Sequence, residues 1–306
     1  MTDTVTLPAA PSSQTPQDGA AQTARTRGPG AAARARSVLR QAFMVAVVVL
    51  ALYPVLWLVV SSLRPDGAIF GNSSLLLDTF EVENYTGGWT ALGKPFSTYL
   101  LNSAVIVAGS VLGNLITCSM AAYAFARLRF RFQKPAFALM LVTIMLPVHV
   151  VIVPQYVLFA QVDAINTFLP LILPKFLATD AFFIFLMVQF IRGLPKELDE
   201  AARIDGAGHG RIFFQILLPL MTPALATTAI FTFLWTWNDF FSQLIYLTDP
   251  NKYTVPVALR TFVDAQSESS FGAMFAMSVV SIVPLLIVFA VGQKYLIRGI
   301  ATTGIK

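Results

Sequence analysis

The sequence predicts an all-α membrane protein with six transmembrane helices and both termini in the cytoplasm. Three observations predict it. Of 306 residues, 56% are hydrophobic and only 12% are charged, too little polar surface for a water-soluble chain of this length. The apolar residues gather into blocks of about 20, the length that crosses a hydrocarbon core of about 30 Å. Lys and Arg crowd onto alternate connections between those blocks, which sets an orientation.

Residues 1–40 are rich in Ala, Pro, Ser, Thr and Gln, with Arg25, Arg27, Arg34, Arg36 and Arg40 toward the end. That composition is too poor in apolar residues to order itself, so a disordered cytoplasmic tail is expected there and a membrane domain over 41–306. A cleavable secretory signal would carry its apolar core nearer the start, and the first block, 43–62, is long enough to span. The others follow at 98–126, 135–157, 168–191, 220–247 and 273–296. Pro170 and Pro174 interrupt the fourth block, so its spanning helix is expected to begin near Lys175 after a re-entrant or interfacial segment.

With the N-terminus inside, the cytoplasm receives Arg127, Arg129, Arg131 and Lys134, then Arg192, Lys196, Arg203 and Arg211, and finally Lys294, Arg298 and Lys306. Only Arg64, Lys94, Lys252 and Arg260 remain outside, with Lys175 at an interface. An odd number of spans would break this alternation. The loops are too short to fold as an enzyme domain. The net charge of +5 comes without a basic stripe interleaved with aromatics, which excludes nucleic acid as a partner. Cys118, the single cysteine, forms no intrachain disulfide, and His149 and His209 make no metal-ligand cluster.

The string LPKELDEAARIDG at 194–206 carries the chemistry. Pro195 suits a first helical position, and Glu197, Asp199 and Glu200 place carboxylates where the helix dipole favours them. Gly206 supplies a stop. Ile212, Phe213, Ile216 and Leu217 then recur at helical spacing before Pro219, so the loop reads as helix, glycine turn, helix. It is a protruding docking element: small Ala201, Ala202 and Gly206 admit a partner's backbone, and Glu200 and Arg203 offer charges. An amphipathic helix lying on lipid headgroups is the competing reading, and its three acids oppose it on an anionic leaflet.

Glu200-Ala201-Ala202, three residues, Gly206, nine residues, Ile216, one residue, Leu218-Pro219 resembles the EAA loop of binding-protein-dependent ABC importer permeases. Asn102-Ser103, the run 121–130, Leu146-Pro147, Asn166-Thr167, Trp237-Asn238-Asp239 and the ending 293–299 are similar to the maltose-type (carbohydrate uptake class 1) sugar permeases, and among these to the six-helix partner subunit. The resemblance implies a type I ABC importer permease fold in the bacterial plasma membrane. It implies that the loop at about 192–219 docks on a dimeric cytoplasmic ATPase through Glu200, Ala201, Ala202 and Gly206, beside Arg203 and Asp205. It further implies a second homologous permease subunit and an extracytoplasmic solute-binding protein as partners, surrounded by membrane lipid. ATP and magnesium belong to the ATPase, so no cofactor is expected on this chain and it is not an enzyme.

Trp235, Trp237, Asn238 and Asp239 lie deep in the fifth block, where an ionised Asp costs about 2.5–3.5 kcal/mol unless it meets a cavity or the bundle interior. They line a pore, with the two indoles stacking on a sugar ring, or they make an interhelical hydrogen bond that fixes packing; the sequence leaves both open. His149 and Gln155 are weaker candidates, and Asp180 is expected near the outer end of the fourth span. Gly109 and Gly113 mark a close helix contact within the bundle. The string GWTALGKP at 88–95 approaches a phosphate-binding loop, but Pro95 replaces the hydroxyl that holds magnesium. A secondary transporter would show ionisable relays in several spans and an internal repeat, and a membrane enzyme would show HExxH or a nucleophile elbow; neither pattern is present. Permeases for amino acids, peptides or phosphate carry similar loops, and the flanking matches favour sugar.

Overall fold

The computed structural model describes residues 31–71, 75–76, 79–263 and 270–303. Every regular element among them is helical. The chain divides into two compact units, Met1–Tyr53 and Pro54–Lys306. The first contains most of α1, Ala31–Ser61; the second contains all the other helices. Residues 1–30 of the expected tail lie outside the described residues, but 31–40 are helical. Ala and Arg dominate that stretch and both are strong helix formers, which accounts for the helix there.

The further helices that bear on a membrane begin with α2, Phe96–Arg127; the pair α3, Gln133–Thr143, and α4, Val148–Gln161; and the segment ending in α5, Ala181–Gly193. After them come the short α6, Glu197–Ile204, then α7, Thr222–Trp237, and α8, Phe271–Thr303. Four helical stretches are long and apolar enough to cross by themselves, 36–61, 96–127, 169–193 and 271–295. Two more are bent pairs: α3 and α4 meet at 102°, and His209–Leu220 meets α7 at 73°. The first bend falls where Pro147 adopts an extended backbone (ψ 134°) and so ends the preceding helical path.

The fourth block is broken further along than its prolines suggested. A helical turn at Leu169–Ile172 passes into a 3₁₀ turn at Leu173–Leu177, then Ala178 takes a left-handed conformation (φ 54°), and regular α-helix begins only at Ala181 rather than near Lys175.

α2 is the axis of the second unit, with α5 and α7 packed along it. α5 runs parallel to it: Asn114 reaches Asp180 at one level, and Arg127 reaches the carbonyl of Leu194 at the other. Small residues permit a close approach on a third side. A Cβ on Gly109 would lie 2.9 Å from Ile172, and one on Gly113 would lie 2.9 Å from the Lys175 carbonyl carbon and from the Phe176 ring. That is the close bundle contact their spacing predicted, and in lipid such packing supplies association that hydrophobic transfer cannot. Among the described residues, two of the three clusters between helices mark the bundle's two ends. Cys118, Phe183, Met187, Ile191, Leu217 and Met221 occupy the end nearer α6, whereas Phe96, Tyr99, Trp237, Phe262 and Met277 occupy the other.

Asn102, Ser103 and Asn166, singled out in sequence, tie down one loop. Asn102 donates to the carbonyls of Asn251 and Tyr253 (3.0 and 2.9 Å). Ser103 Oγ accepts from the Val255 amide, and Asn166 Oδ1 accepts from the amides of Thr248 and Asp249.

Candidate functional site

The loop that connects α5 to the next long helix is built from local signals. The first turn of α6 carries Glu197, Asp199 and Glu200. At its end Gly206 is left-handed (φ 78°), its amide donates to the carbonyl of Arg203 (3.0 Å), and the amide of Ala207 donates to that of Ala202 (2.9 Å). These two bonds form a Schellman cap, which needs a residue free to adopt positive φ.

The helix has two distinct faces. Asp199 and Ala202, three apart, are 5% and 8% exposed. Glu200, Ala201, Arg203, Asp205 and Gly206 are exposed, and Ile204 is 87% exposed. Ala202 therefore leaves the set of outward-facing residues expected from sequence: it packs into the cluster that holds Ile212 and Phe213 and seats α6 on the protein.

The seat is pinned by charge. Arg127, the last residue of α2, places Nε 3.0 Å from Asp199 Oδ2, with side chains only 3% and 7% exposed. Its Nη2 donates to the carbonyls of Leu194 (2.8 Å) and Pro195 (3.4 Å). Tyr123 Oη lies 3.2 Å from His209 Nδ1 on the far side of the turn. Sequence reading missed this pair because Arg127 was counted for orientation and Asp199 for the helix dipole. Beside it opens a crevice of about 930 Å³ lined by Arg127, Arg129, Lys196, Glu200, Arg203 and His209, among others.

Beyond the turn, Ile212–Leu217 winds as a π-helix rather than the expected α-helix. Ile212 and Leu217, five apart, are both buried (1% and 0%), which the wider turn permits. Pro219, lacking an N–H, removes a donor that a regular helix would use here.

Asn238 and Asp239 are not mid-helix. α7 ends at Trp237, Asn238 is its C-terminal cap, and Asp239 begins the break before a short helix at Phe241–Tyr246. Asn238 Nδ2 donates back to the Leu234 carbonyl (2.8 Å), and Asp239 Oδ1 accepts from the Ser242 amide (3.0 Å). The two indoles diverge. Trp237 is 5% exposed and stacks on Phe233 at 5.5 Å within a core cluster, so most of its surface packs against this chain. Trp235 is 52% exposed and, with His149, Lys175, Asn238 and Asp239, lines a cavity of about 840 Å³.

Next to that cavity lies a polar network that the sequence did not announce. Lys175 Nζ is 2.9 Å from Asp180 Oδ2. Asn114, fully buried in the middle of α2, donates to the same carboxylate (2.6 Å) and to Thr232 Oγ1 of α7 (3.0 Å). Thr117 Oγ1 donates to the Lys175 carbonyl (2.8 Å). Asp180, expected near the outer end of a span, is tied to Lys175 and Asn114 just before α5, with a quarter of its side chain exposed.

Comparison with known proteins places this arrangement. Residues 113–302 match the family described as the binding-protein-dependent transport system inner membrane component. The chain is 33% identical over 261 residues to the diacetylchitobiose uptake system permease protein of Streptomyces coelicolor, covering 84% of this chain and 85% of that one. It is 35% identical over 260 residues to the arabinooligosaccharides transport system permease protein of Halalkalibacterium halodurans (84% and 92% covered). Identity to the trehalose/maltose transport system permease protein of Thermococcus litoralis is 32% over 260 residues, again with 84% and 92% covered. Its fold is similar to that of a chain in the crystal structure of a bacterial ABC transporter involved in the import of the acidic polysaccharide alginate, with a TM-score of 0.76, 24% identity, and 87% and 98% covered. The chain belongs to the family of inner-membrane components of binding-protein-dependent transport systems. It is a multi-pass membrane permease of the ABC importer class.

Proposed function

We propose that this chain is one half of the translocation pathway of an ATP-driven importer of sugars or oligosaccharides, and that α6 is the part through which a separate ATPase moves it. The carbohydrate class rests on the similarity to permeases named for diacetylchitobiose, arabinooligosaccharide and trehalose/maltose transport. Each bent pair counts as one span in this reading, which gives six helices with both termini in the cytoplasm and puts α6 on the cytoplasmic side, as the distribution of Lys and Arg requires.

The observation that carries the coupling role is the two-sidedness of α6. Its back is fixed to the end of α2 by a buried ion pair, while Glu200, Ala201, Arg203, Ile204, Asp205 and Gly206 stand exposed. A helix that is rigidly held on one side and bare on the other, with an isoleucine at its tip, suits a docking surface better than a solvated loop. ATP and magnesium bind and react on the dimeric ATPase, a second homologous permease completes the pathway, and an extracytoplasmic solute-binding protein delivers the sugar.

The test is reconstitution. Ile204→Asp should abolish co-purification of the ATPase subunits while the chain still reaches the membrane fraction. Retention of the ATPase at the level seen without the substitution would refute the docking role of this face.

A further inference from the structure

We propose that this subunit contacts the solute in transit, through a subsite for one neutral sugar ring formed by Trp235, Lys175 and Asp180 at a neck between two cavities. The inference rests on the carbohydrate reading above and adds to it a place on this chain where recognition occurs.

The backbone supplies the first reason. Between Asn114, level with Asp180, and Arg127 at the α6 end of α2, the distance is ~20 Å at ~1.5 Å per helical residue, which lies within a core of ~30 Å. At that depth the chain from Leu173 to Asp180 is not α-helical. Irregular backbone inside a membrane is tolerated where it is buried in protein or lines a water-filled cavity, and this segment lines cavities on two sides. Lys175 faces the one of about 840 Å³, and Ala178, Thr179 and Asp180 face another of about 760 Å³ that extends along α3 and α4.

The second reason is what stands between them. Trp235 and Val148 line both cavities, so the indole sits at the neck. It is wedged against Phe182, Phe183 and Phe231 at 5.4, 5.1 and 5.8 Å between ring centroids, yet half its surface is bare. An indole fixed this firmly presents a flat face without further loss of rotamer freedom.

The third reason is chemical. A pyranose offers an apolar C–H face and a rim of hydroxyls that both donate and accept, and a site for it combines an aromatic face with a few fixed polar groups. Lys175 donates, Asp180 accepts, and each is about one quarter exposed (28% and 25%). Asn114 clamps the carboxylate from behind, so hydroxyls would meet a preformed pair. Because the two charges neutralise each other, the subsite suits a neutral ring rather than an acidic one. A pair serving only to close the turn at Ala178 would need neither the bare indole nor the two cavities.

The experiment uses the complete transporter, with its ATPase and binding protein, in proteoliposomes, and maltose, trehalose and diacetylchitobiose as probes. Trp235→Leu removes the aromatic face and Trp235→Phe keeps one. Uptake should fall ~3- to 10-fold in the former and stay near wild type in the latter, the range expected for one ring stack, with binding-protein-stimulated ATP hydrolysis unchanged in both. Val148→Cys, set against the buried Cys118, should be shielded from a thiol reagent by whichever saccharide is carried. Equal loss in both Trp235 variants, or ATP hydrolysis falling in step with uptake, would show a structural indole and overturn the subsite. So would wild-type uptake in Trp235→Leu, or an unshielded Val148→Cys in a transporter that carries the probe. A wild-type transporter that carries none of the saccharides but carries another class of solute would overturn the carbohydrate reading, and the subsite with it.

Discussion

Replacing Arg127 by Met tests how firmly α6 is seated. The substitution keeps much of the side-chain volume but removes the guanidinium that lies 3.0 Å from Asp199 and donates at 2.8 Å to the Leu194 carbonyl. Asp199 is then left 5% exposed without its ion-pair partner. Removing one member of a buried pair costs about 3–5 kcal/mol, because the remaining charge stays desolvated and uncompensated. At 1.4 kcal/mol per decade, that shifts the balance between seated and detached α6 by about 10²- to 4 × 10³-fold. Hydrogen exchange of the amides at 197–207 in the purified complex reads this directly, and retention of the ATPase reads its consequence. Arg127→Met combined with Asp199→Leu replaces the pair by apolar groups and should recover most of the protection. If the single variant exchanged no faster than wild type, or the double variant as fast as the single, the ion pair would not be what holds the helix.

Three other outcomes are expected. Gly206→Asp meets open space, with no atom within 4 Å of an added Cβ, so the cost is the ~1–2 kcal/mol of a left-handed non-glycine residue; membrane levels should persist while vesicle uptake fails, and undiminished uptake would refute the coupling assignment. Gly113→Val drives a side chain into the Lys175 backbone and the Phe176 ring and should lower the melting temperature by an amount equivalent to ~1–3 kcal/mol, whereas Gly87→Ala, with nothing within 4 Å, should leave it in place. The Asp249 carboxyl is held below the usual carboxylate range, first by the Asn251 amide and then by the Asn251 side chain. A carboxylate depressed by folding stabilises above its unfolded pKa of about 3.9 and loses that contribution as pH falls through the folded value. Asn251→Ala should therefore narrow the difference between the melting curves at neutral and strongly acidic pH, and an unaltered pH profile would count against the cap.

The parts of the site that were legible in sequence are those decided by neighbours in the chain. The acids of α6 and the left-handed Gly206 interact within one or two turns, so spacing alone placed them. The apolar blocks were legible as helical stretches, four of them long and apolar enough to cross by themselves, although the fourth and fifth are regular α-helix over only part of their length. Their bends were not, because Pro147, Pro170, Pro174 and Pro219 interrupt a helix without saying by what angle.

The depth of Asp239 was misread for a similar reason. Hydropathy continues through Phe240, Phe241, Leu244 and Ile245 and hides the stop at Trp237. Trp235 and Trp237 were grouped although residues two apart on a helix point ~200° away from each other, so the two do not line the same cavity. Pairs such as Arg127 with Asp199, or Asn114 with Asp180, join residues far apart in the chain. A single sequence carries no local sign of those.

The three longest helices differ in one respect. α1 and α8 contain Pro54 and Pro284, whereas α2 runs from Phe96 to Arg127 without an internal proline. The same uninterrupted rod grips α6 at its last residue and, through Asn114, the Lys175–Asp180 pair near its middle. A push delivered to the docking surface thus has no joint in which to dissipate along that path. On the docking role proposed for α6, it would arrive at the bottleneck as a movement of one stiff beam, so that a single piece of the chain would gear the stroke of a motor outside the bilayer to the opening of a passage within it.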